Sequence, residues 1–314
     1  MNKKITNLSN AMNMAELTNG LYILTADIGG SHITAAVCNI ITDTIISKSL
    51  TRVEVNSKGS AESILKSWQE AFDTALSQSG VQVSGLGMAM PGPFDYENGI
   101  SYITGLDKYE ALYGMDIKQH FAKLLNVCPS EIRFRNDAEA TIAGEVLVGA
   151  GKGFDNVMGV TLGTGFGSAF CSDQVTKDLN LGSDLYKNSI ADDYLSTRWF
   201  VKRYAELTGV GLLSGVKELA AIAESREVAR QIFEEFAINM SDFLAEPLNR
   251  FKPQKLILCG NIAKAHKFFL PSLRSVLNST KIVLAELGEQ AALIGAAALF
   301  KQGNLQETNL PVYE

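Results

Sequence analysis

The chain has 314 residues, enough for two domains at about 150 residues each, and each could bury its own core. Hydrophobic residues make up 46% and charged residues 20%, close to globular averages, which excludes a fibrous or disordered chain. The formal net charge is −6, from 28 Lys and Arg against 34 Asp and Glu. No block of like charge builds a positive field, so nucleic acid is not an expected partner.

Residues 1–20 carry Lys3 and Lys4 but no apolar h-region, and read as a polar leader rather than a secretion signal. The longest strongly apolar stretch, Ala291 to Phe300, is about half of what spans a bilayer, so no membrane partner is expected. Cys38, Cys128, Cys171 and Cys259 stand singly, as in a reducing cytoplasm, and give no support to a Cys-built metal site.

In chain order, 21–27, 33–40 and 44–55 are rich in β-branched residues, and Gly29-Gly30-Ser31 separates the first two. The pattern predicts a three-stranded meander opening with a glycine turn. Ile64, Leu65, Trp68, Phe72, Ala75 and Leu76 then recur at helical spacing, and an apolar run over 81–90 stops at Pro91-Gly92-Pro93. A helical region over 108–126, a strand at 131–135 and a helix over 138–148 complete the first half. From Asn156 the order begins again: strand 156–162, glycine turn 163–167, strand 168–172. Residues 192–251 read as mostly helical, followed by strand 255–259, a helix over 262–278, strand 281–285 and a closing helix over 289–301. Asp27-Ile28-Gly29-Gly30-Ser31 aligns with Thr161-Leu162-Gly163-Thr164-Gly165, so the chain is a repeat of two similar α/β halves. The expected boundaries are 21–137 and 138–314, with the last residues free to pack back on the first domain.

Several constellations could carry chemistry. Asp27 ends a buried strand directly before glycines whose missing Cβ lets backbone N–H groups approach an anion. This reads as a phosphate and Mg²⁺ site. Gly163-Thr164-Gly165 offers the same cradle plus a hydroxyl. Gly149 to Gly153 lacks the spacing of a P-loop, and 163–167 is GxGxG leading into a strand, not a Rossmann fingerprint. Asn136-Asp137 opens a helix, as an N-cap or with Asp137 as a general base for a hydroxyl. Gly92 lies in a Pro-Gly-Pro loop able to present backbone groups to a polyol. Asp192-Asp193 after Ser189 reads as a capping box or a ligand, and Gly260-Asn261 follows a strand where α/β sheets place ligands. His32, His120 and His266 have no acidic or Cys partner at ligand spacing.

The segments DIGGSHI (27–33), MPGPFD (90–95), RNDAEATIAGE (135–145), TLGTGFGSA (161–169) and LCGNIAKA (258–265) together resemble the ROK family of repressors and sugar kinases. The likeness covers about residues 21–301. It implies two actin-like, ribonuclease H-like α/β domains with an interdomain cleft, and an ATP-dependent sugar kinase acting on a hexose hydroxyl, the 6-hydroxyl first. On this resemblance Asp27 lies near Mg²⁺, while Gly29, Gly30, Ser31 and Gly163 to Gly165 hold ATP phosphates. Gly260-Asn261 lies by the adenosine, Asp137 is the catalytic base, and Asn136 and Gly92 belong to the sugar site.

The chain departs from the family over 171–199. Members carry there a Glu-x-x-His sugar motif, a zinc-binding cysteine cluster and a later Glu. Asp184 stands roughly at the first position without the His, Asp192 matches the later Glu with a shorter arm, and structural zinc is not expected. The alternative expectation is a sugar-sensing protein that has lost catalysis. The 26 residues before Asp27 are too few for a helix-turn-helix domain, and the helical stretch 192–251 could build a homodimer face.

Overall fold

The computed structural model describes residues 22–301, so the expected polar leader lies outside the described residues. The chain divides into two compact units. Unit 1 holds the described residues to Ala140 and those from Ala292 onward, and unit 2 is Thr141–Ala291. The division falls between Ala140 and Thr141, against the expected 137/138, and the described residues 292–301 group with unit 1.

In unit 1, β1 (Tyr22–Ile28), β2 (His32–Asn39), β3 (Thr44–Ile45) and β4 (Thr51–Glu54) form the antiparallel side of the sheet, both short strands pairing with β2. The single strand expected over 44–55 is split by a 3₁₀ turn at Ser47–Ser49. The Ser49 hydroxyl accepts from Val37 N–H at 2.8 Å and donates to Ile46 C=O at 2.7 Å, replacing ladder bonds with side-chain ones. Helix α1 (Ala61–Ser79) starts at Ser60, whose Oγ accepts from Ser63 N–H, and stops at Gly80 in the left-handed region (φ 69°). Its apolar stripe buries Ile64, Leu65, Trp68, Ala71, Phe72 and Ala75. Each large side chain contributes about 1.5–3 kcal/mol relative to exposure.

Strand β5 (Leu86–Met90) pairs parallel with β1, and the hairpin β6 (Phe94–Asp95) and β7 (Ile100–Ser101) follows. The helical region expected over 108–126 is a 3₁₀ turn at Glu110–Leu112 and, beyond Gly114 (φ 74°), helix α2 (Ile117–Leu125). Asp116 starts α2 afresh by accepting from Gln119 N–H at 2.8 Å. Strand β8 (Ile132–Asn136) pairs parallel with β5 and leads into α3 (Asp137–Val148). The sheet order is β3-β2-β1-β5-β8.

Unit 2 repeats the plan. β9 (Asn156–Leu162), β10 (Phe166–Ser172) and β11 (Val175–Asp178) are antiparallel. The hairpin β12 (Leu185–Tyr186) and β13 (Ser189–Ile190) precedes the helices α4 (Asp192–Leu195), α5 (Thr197–Thr208), α6 (Gly215–Ala223) and α7 (Glu227–Phe251). β14 (Lys255–Cys259), α8 (Leu270–Val276) and β15 (Lys281–Leu284) follow, and α9 (Gln290–Ala298) begins in unit 2 and lies mostly in unit 1. The order β11-β10-β9-β14-β15 matches the main path of unit 1, where β4 also pairs with β2 beside β3, so the sequence repeat is a repeat of topology. The helix expected over 262–278 is a 3₁₀ segment, Ile262–Phe268, followed by α8, with Pro271 in the first turn of α8. Both faces of this sheet are covered, as suits its continuous apolar strands. Met158, Val160, Leu162, Leu256 and Leu258 pack with Phe200, Phe233 and Phe236, while Val157, Ala169 and Ile257 meet Ile142 and Val146 of α3.

One buried acid ties unit 2 together. Glu145, with no exposed surface, accepts from the N–H groups of Ala150 (2.9 Å), Glu286 (3.0 Å) and Leu287 (2.8 Å). Glu145→Gln turns an amide N–H₂ toward those donors. It is expected to cost about 1–3 kcal/mol in a denaturant titration, the penalty of unsatisfied buried donors.

Candidate functional site

In unit 1 the predicted residues gather at one sheet edge. Strands β1, β5 and β8 are neighbours and parallel, with Asp27 opposite Ala89, Ala89 opposite Arg135, and Met90 opposite Asn136. Asp27, the Pro91-Gly92-Pro93 loop and Asn136-Asp137 therefore all leave the carboxyl ends of adjacent strands, where open α/β sheets bind ligands. Two strand spacings, roughly 10 Å, separate the strand carrying Asp27 from the one ending at Asn136.

The first glycine turn is closed by Gly29 N–H donating to His32 C=O at 2.9 Å. A Cβ built on Gly30 meets nothing within 4 Å, so the turn's backbone is open to a ligand. Beneath it, the Tyr109 hydroxyl donates to Gly29 C=O at 2.5 Å. Tyr109 is buried, itself in the left-handed region (φ 57°), and burial, with Asp27 adding to it, pushes its phenol up to about 12. The hydroxyl thus remains a donor throughout the physiological range. Nothing in the letters around Tyr109 marks this role, because its partner is 80 residues away. Tyr109→Phe leaves the Gly29 carbonyl without this donor. It is expected to cost about 1 kcal/mol and to speed amide exchange over Gly29–His32, read by hydrogen exchange.

Asn136 is the cap that the sequence allowed. Its Oδ1 accepts from Ala138 N–H (2.8 Å) and Glu139 N–H (3.2 Å), and its Nδ2 donates to the Tyr96 hydroxyl at 3.3 Å. That hydroxyl in turn donates to Met90 C=O at 3.1 Å. Tyr96, which sequence reasoning did not single out, thus joins the end of β5 to the end of β8, and a Cβ on Gly92 would stand 3.3 Å from its oxygen. Asn136 and Asp137 share the first donor of α3, the Ala138 N–H, and Asn136 alone takes that of Glu139. Asp137 is half-buried, the first residue of α3, with Oδ1 accepting from Ala138 N–H at 2.8 Å.

In unit 2 the second glycine turn and Gly260-Asn261 also share one edge, since β14 runs parallel to β9 with Cys259 opposite Thr161. Gly163 N–H donates to Gly165 C=O at 3.0 Å, and Thr164 and Gly165 are exposed. Gly260 adopts φ 89°, and a Cβ there would fall 2.4 Å from Leu162 C=O, so both backbone conformation and close approach require glycine. Asp192 lies against this turn. Its Oδ1 accepts from Phe166 N–H at 2.5 Å and its Oδ2 pairs with Arg198. Thr197 donates to Gly163 C=O from both N–H and Oγ1, each at 2.8 Å. The capping box expected at Ser189 does not form: the Ser189 hydroxyl donates to the Asp193 carboxylate at 2.5 Å, and Ala191 precedes α4 with no side-chain cap. Asp184 has an exposed side chain, and its backbone closes the β12–β13 hairpin by accepting from Ala191 N–H at 2.9 Å.

Among the described residues no three His, Cys, Asp or Glu side chains stand together as a metal site, and Cys38, Cys171 and Cys259 are buried thiols. Burial lifts the Cys259 thiol well above its ordinary range. No helix among the described residues is long and apolar enough to cross a membrane.

The ROK family profile matches residues 23–177 and 191–303. This chain belongs to the ROK family. The match lapses over 178–190, the segment that carries the β12–β13 hairpin just ahead of Asp192. A glucokinase of Thermotoga maritima is 25% identical over 90% of this chain and 98% of its own length. The xylose repressor of Bacillus subtilis is also 25% identical, over 88% of this chain and 76% of its own. Among solved structures, a ROK family glucokinase from Streptomyces griseus, in complex with glucose and AMPPNP, superposes with a TM-score of 0.74 at 23% identity, covering 90% of this chain and all of that one. The fold is therefore the mixed α/β, actin-like fold of ROK proteins.

Proposed function

We propose that this ROK protein is an ATP-dependent sugar kinase that transfers a phosphoryl group to a hexose hydroxyl, the 6-hydroxyl first. The observation that carries this reading is the carboxyl edge of β1, β5 and β8, where a half-buried acid, Asp137, opens α3 beside the capping residue Asn136 and shares the edge with Asp27 and the Gly92 loop. Asp137 takes the hydroxyl proton, and Gly92 and Asn136 orient the sugar. The backbone N–H groups at Gly30 and Ser31 and at Thr164 and Gly165 receive phosphates, with the N–H groups of Gly29 and Gly163 closing the two turns and Gly260-Asn261 beside the nucleoside. The open space over Gly30 suits this, since an anion needs room at the N–H groups. Mg²⁺ fits as an ion arriving with the nucleotide. It takes one or two carboxylates plus phosphate oxygens and water, and Asp27 supplies the carboxylate; bound there, it would neutralise charge on the phosphates. The named relatives support a sugar and ATP as ligands: one is a glucokinase, and one solved structure holds glucose with AMPPNP.

A panel of hexoses and amino sugars in an ADP-release assay tests the reading. Sugar-dependent ADP release is the expected result. Sugar binding without ADP release would instead favour a sensor, the direction in which the xylose repressor relative points. ATP hydrolysis indifferent to sugar would overturn both.

A further inference from the structure

We infer that Asp192 is a positioning residue of the second glycine turn, acting together with Thr197 and Arg198, rather than a ligand of the sugar. The inference rests on the kinase reading for the turn's role, and on geometry alone for the clamp itself. The turn is held at both ends by one short segment. Thr197 places two donors on Gly163 C=O, and Asp192 Oδ1 accepts the first N–H beyond the turn, that of Phe166. The fit is tight: a Cβ on Gly165 would stand 3.1 Å from Asp192 Oδ1, and one on Gly182 would fall 2.4 Å from Phe166 C=O. A carboxylate beside a turn that receives phosphates would repel them, and Arg198 on Oδ2 offsets that charge. With one oxygen on Phe166 and the other on Arg198, the carboxylate is spent on the protein. The hairpin leading into it is itself moored to α7, with Lys187 Nζ donating to Asn239 Oδ1 at 2.6 Å and the Tyr186 hydroxyl to Asp242 Oδ2 at 3.0 Å.

The test compares Asp192→Ala, Asp192→Asn and Arg198→Met with the wild type. It reads AMPPNP affinity by calorimetry, sugar KM by ADP release, and exchange of the Phe166 amide without ligand. Asp192→Ala is expected to weaken AMPPNP about tenfold or more, the loss of a charge-assisted hydrogen bond. It should also speed exchange at Phe166 and leave sugar KM within about twofold. Asp192→Asn keeps an acceptor for Phe166 and should restore most of the amide protection. Arg198→Met should weaken AMPPNP while Phe166 stays protected; should Asp192→Ala not fold, these two variants carry the comparison. A sugar KM raised tenfold with AMPPNP affinity and exchange unchanged would overturn the inference and make Asp192 a sugar ligand. Wild-type protein that binds no AMPPNP would overturn the kinase reading and this inference with it. Tight wild-type binding that the variants leave unaltered would overturn the inference alone.

Discussion

Asp137→Asn is expected to lower kcat by about two to four orders of magnitude while AMPPNP and sugar still bind. The substitution is nearly isosteric, and the start of α3 does not depend on it, because Asn136 Oδ1 already accepts from Ala138 and Glu139 N–H. The amide oxygen of Asn can retain the 2.8 Å bond that Asp137 Oδ1 makes to Ala138 N–H. What it cannot do is accept the hydroxyl proton as the phosphoryl group departs. The loss should therefore fall on kcat, with KM for both substrates changed only a few-fold. Steady-state kinetics with the preferred sugar, together with calorimetry for each ligand, separate these terms. Turnover equal to wild type would remove Asp137 from the base role, and a loss confined to sugar KM would reassign it to binding.

Much of the architecture is legible from local pattern, because strands such as 156–162 and 255–259 are apolar runs that end at glycine turns. The repeat is legible for the same reason. Where side chains replace backbone pairing the pattern misleads: Ser49 breaks 44–55 into two short strands, and Asp116 restarts a helix after Gly114. The candidate site is legible where the residue type itself carries the chemistry, as for Asp27, Asp137 and the glycines. It is illegible where the role depends on distant partners. Tyr96 and Tyr109 are unremarkable letters until their hydroxyls are seen on Met90 and Gly29. Asp192 is the intermediate case. A carboxylate at the start of a helix reads as part of a cap or as a ligand, and only the Phe166 N–H and the Arg198 guanidinium distinguish a third use.

Gly295→Ala is the second large effect, and it falls on stability. On propensity alone the change should help, since Ala is favoured over Gly in a helix interior by about 1 kcal/mol. In α9, however, a Cβ on Gly295 would lie 1.8 Å from Ala140 C=O and 2.6 Å from its carbonyl carbon. Those atoms are backbone of α3 and cannot rotate aside. Retreat is also blocked on the strand side: Gly87 of β5 approaches Ala296 C=O so closely that a Cβ there would fall at 2.5 Å. Arg135 Nη1 holds Gly295 C=O at 3.0 Å, so a shift of the helix strains that bond as well. Overpacking of this kind outweighs the propensity gain, and the net loss should be about 2 kcal/mol or more. Thermal and denaturant unfolding would read it against Gly211→Ala, where a Cβ meets nothing within 4 Å and the change should stay within about 0.5 kcal/mol. Equal stability of the two variants would mean that α9 can move off α3 without penalty, and that Gly87 and Gly295 are not there to let backbones meet.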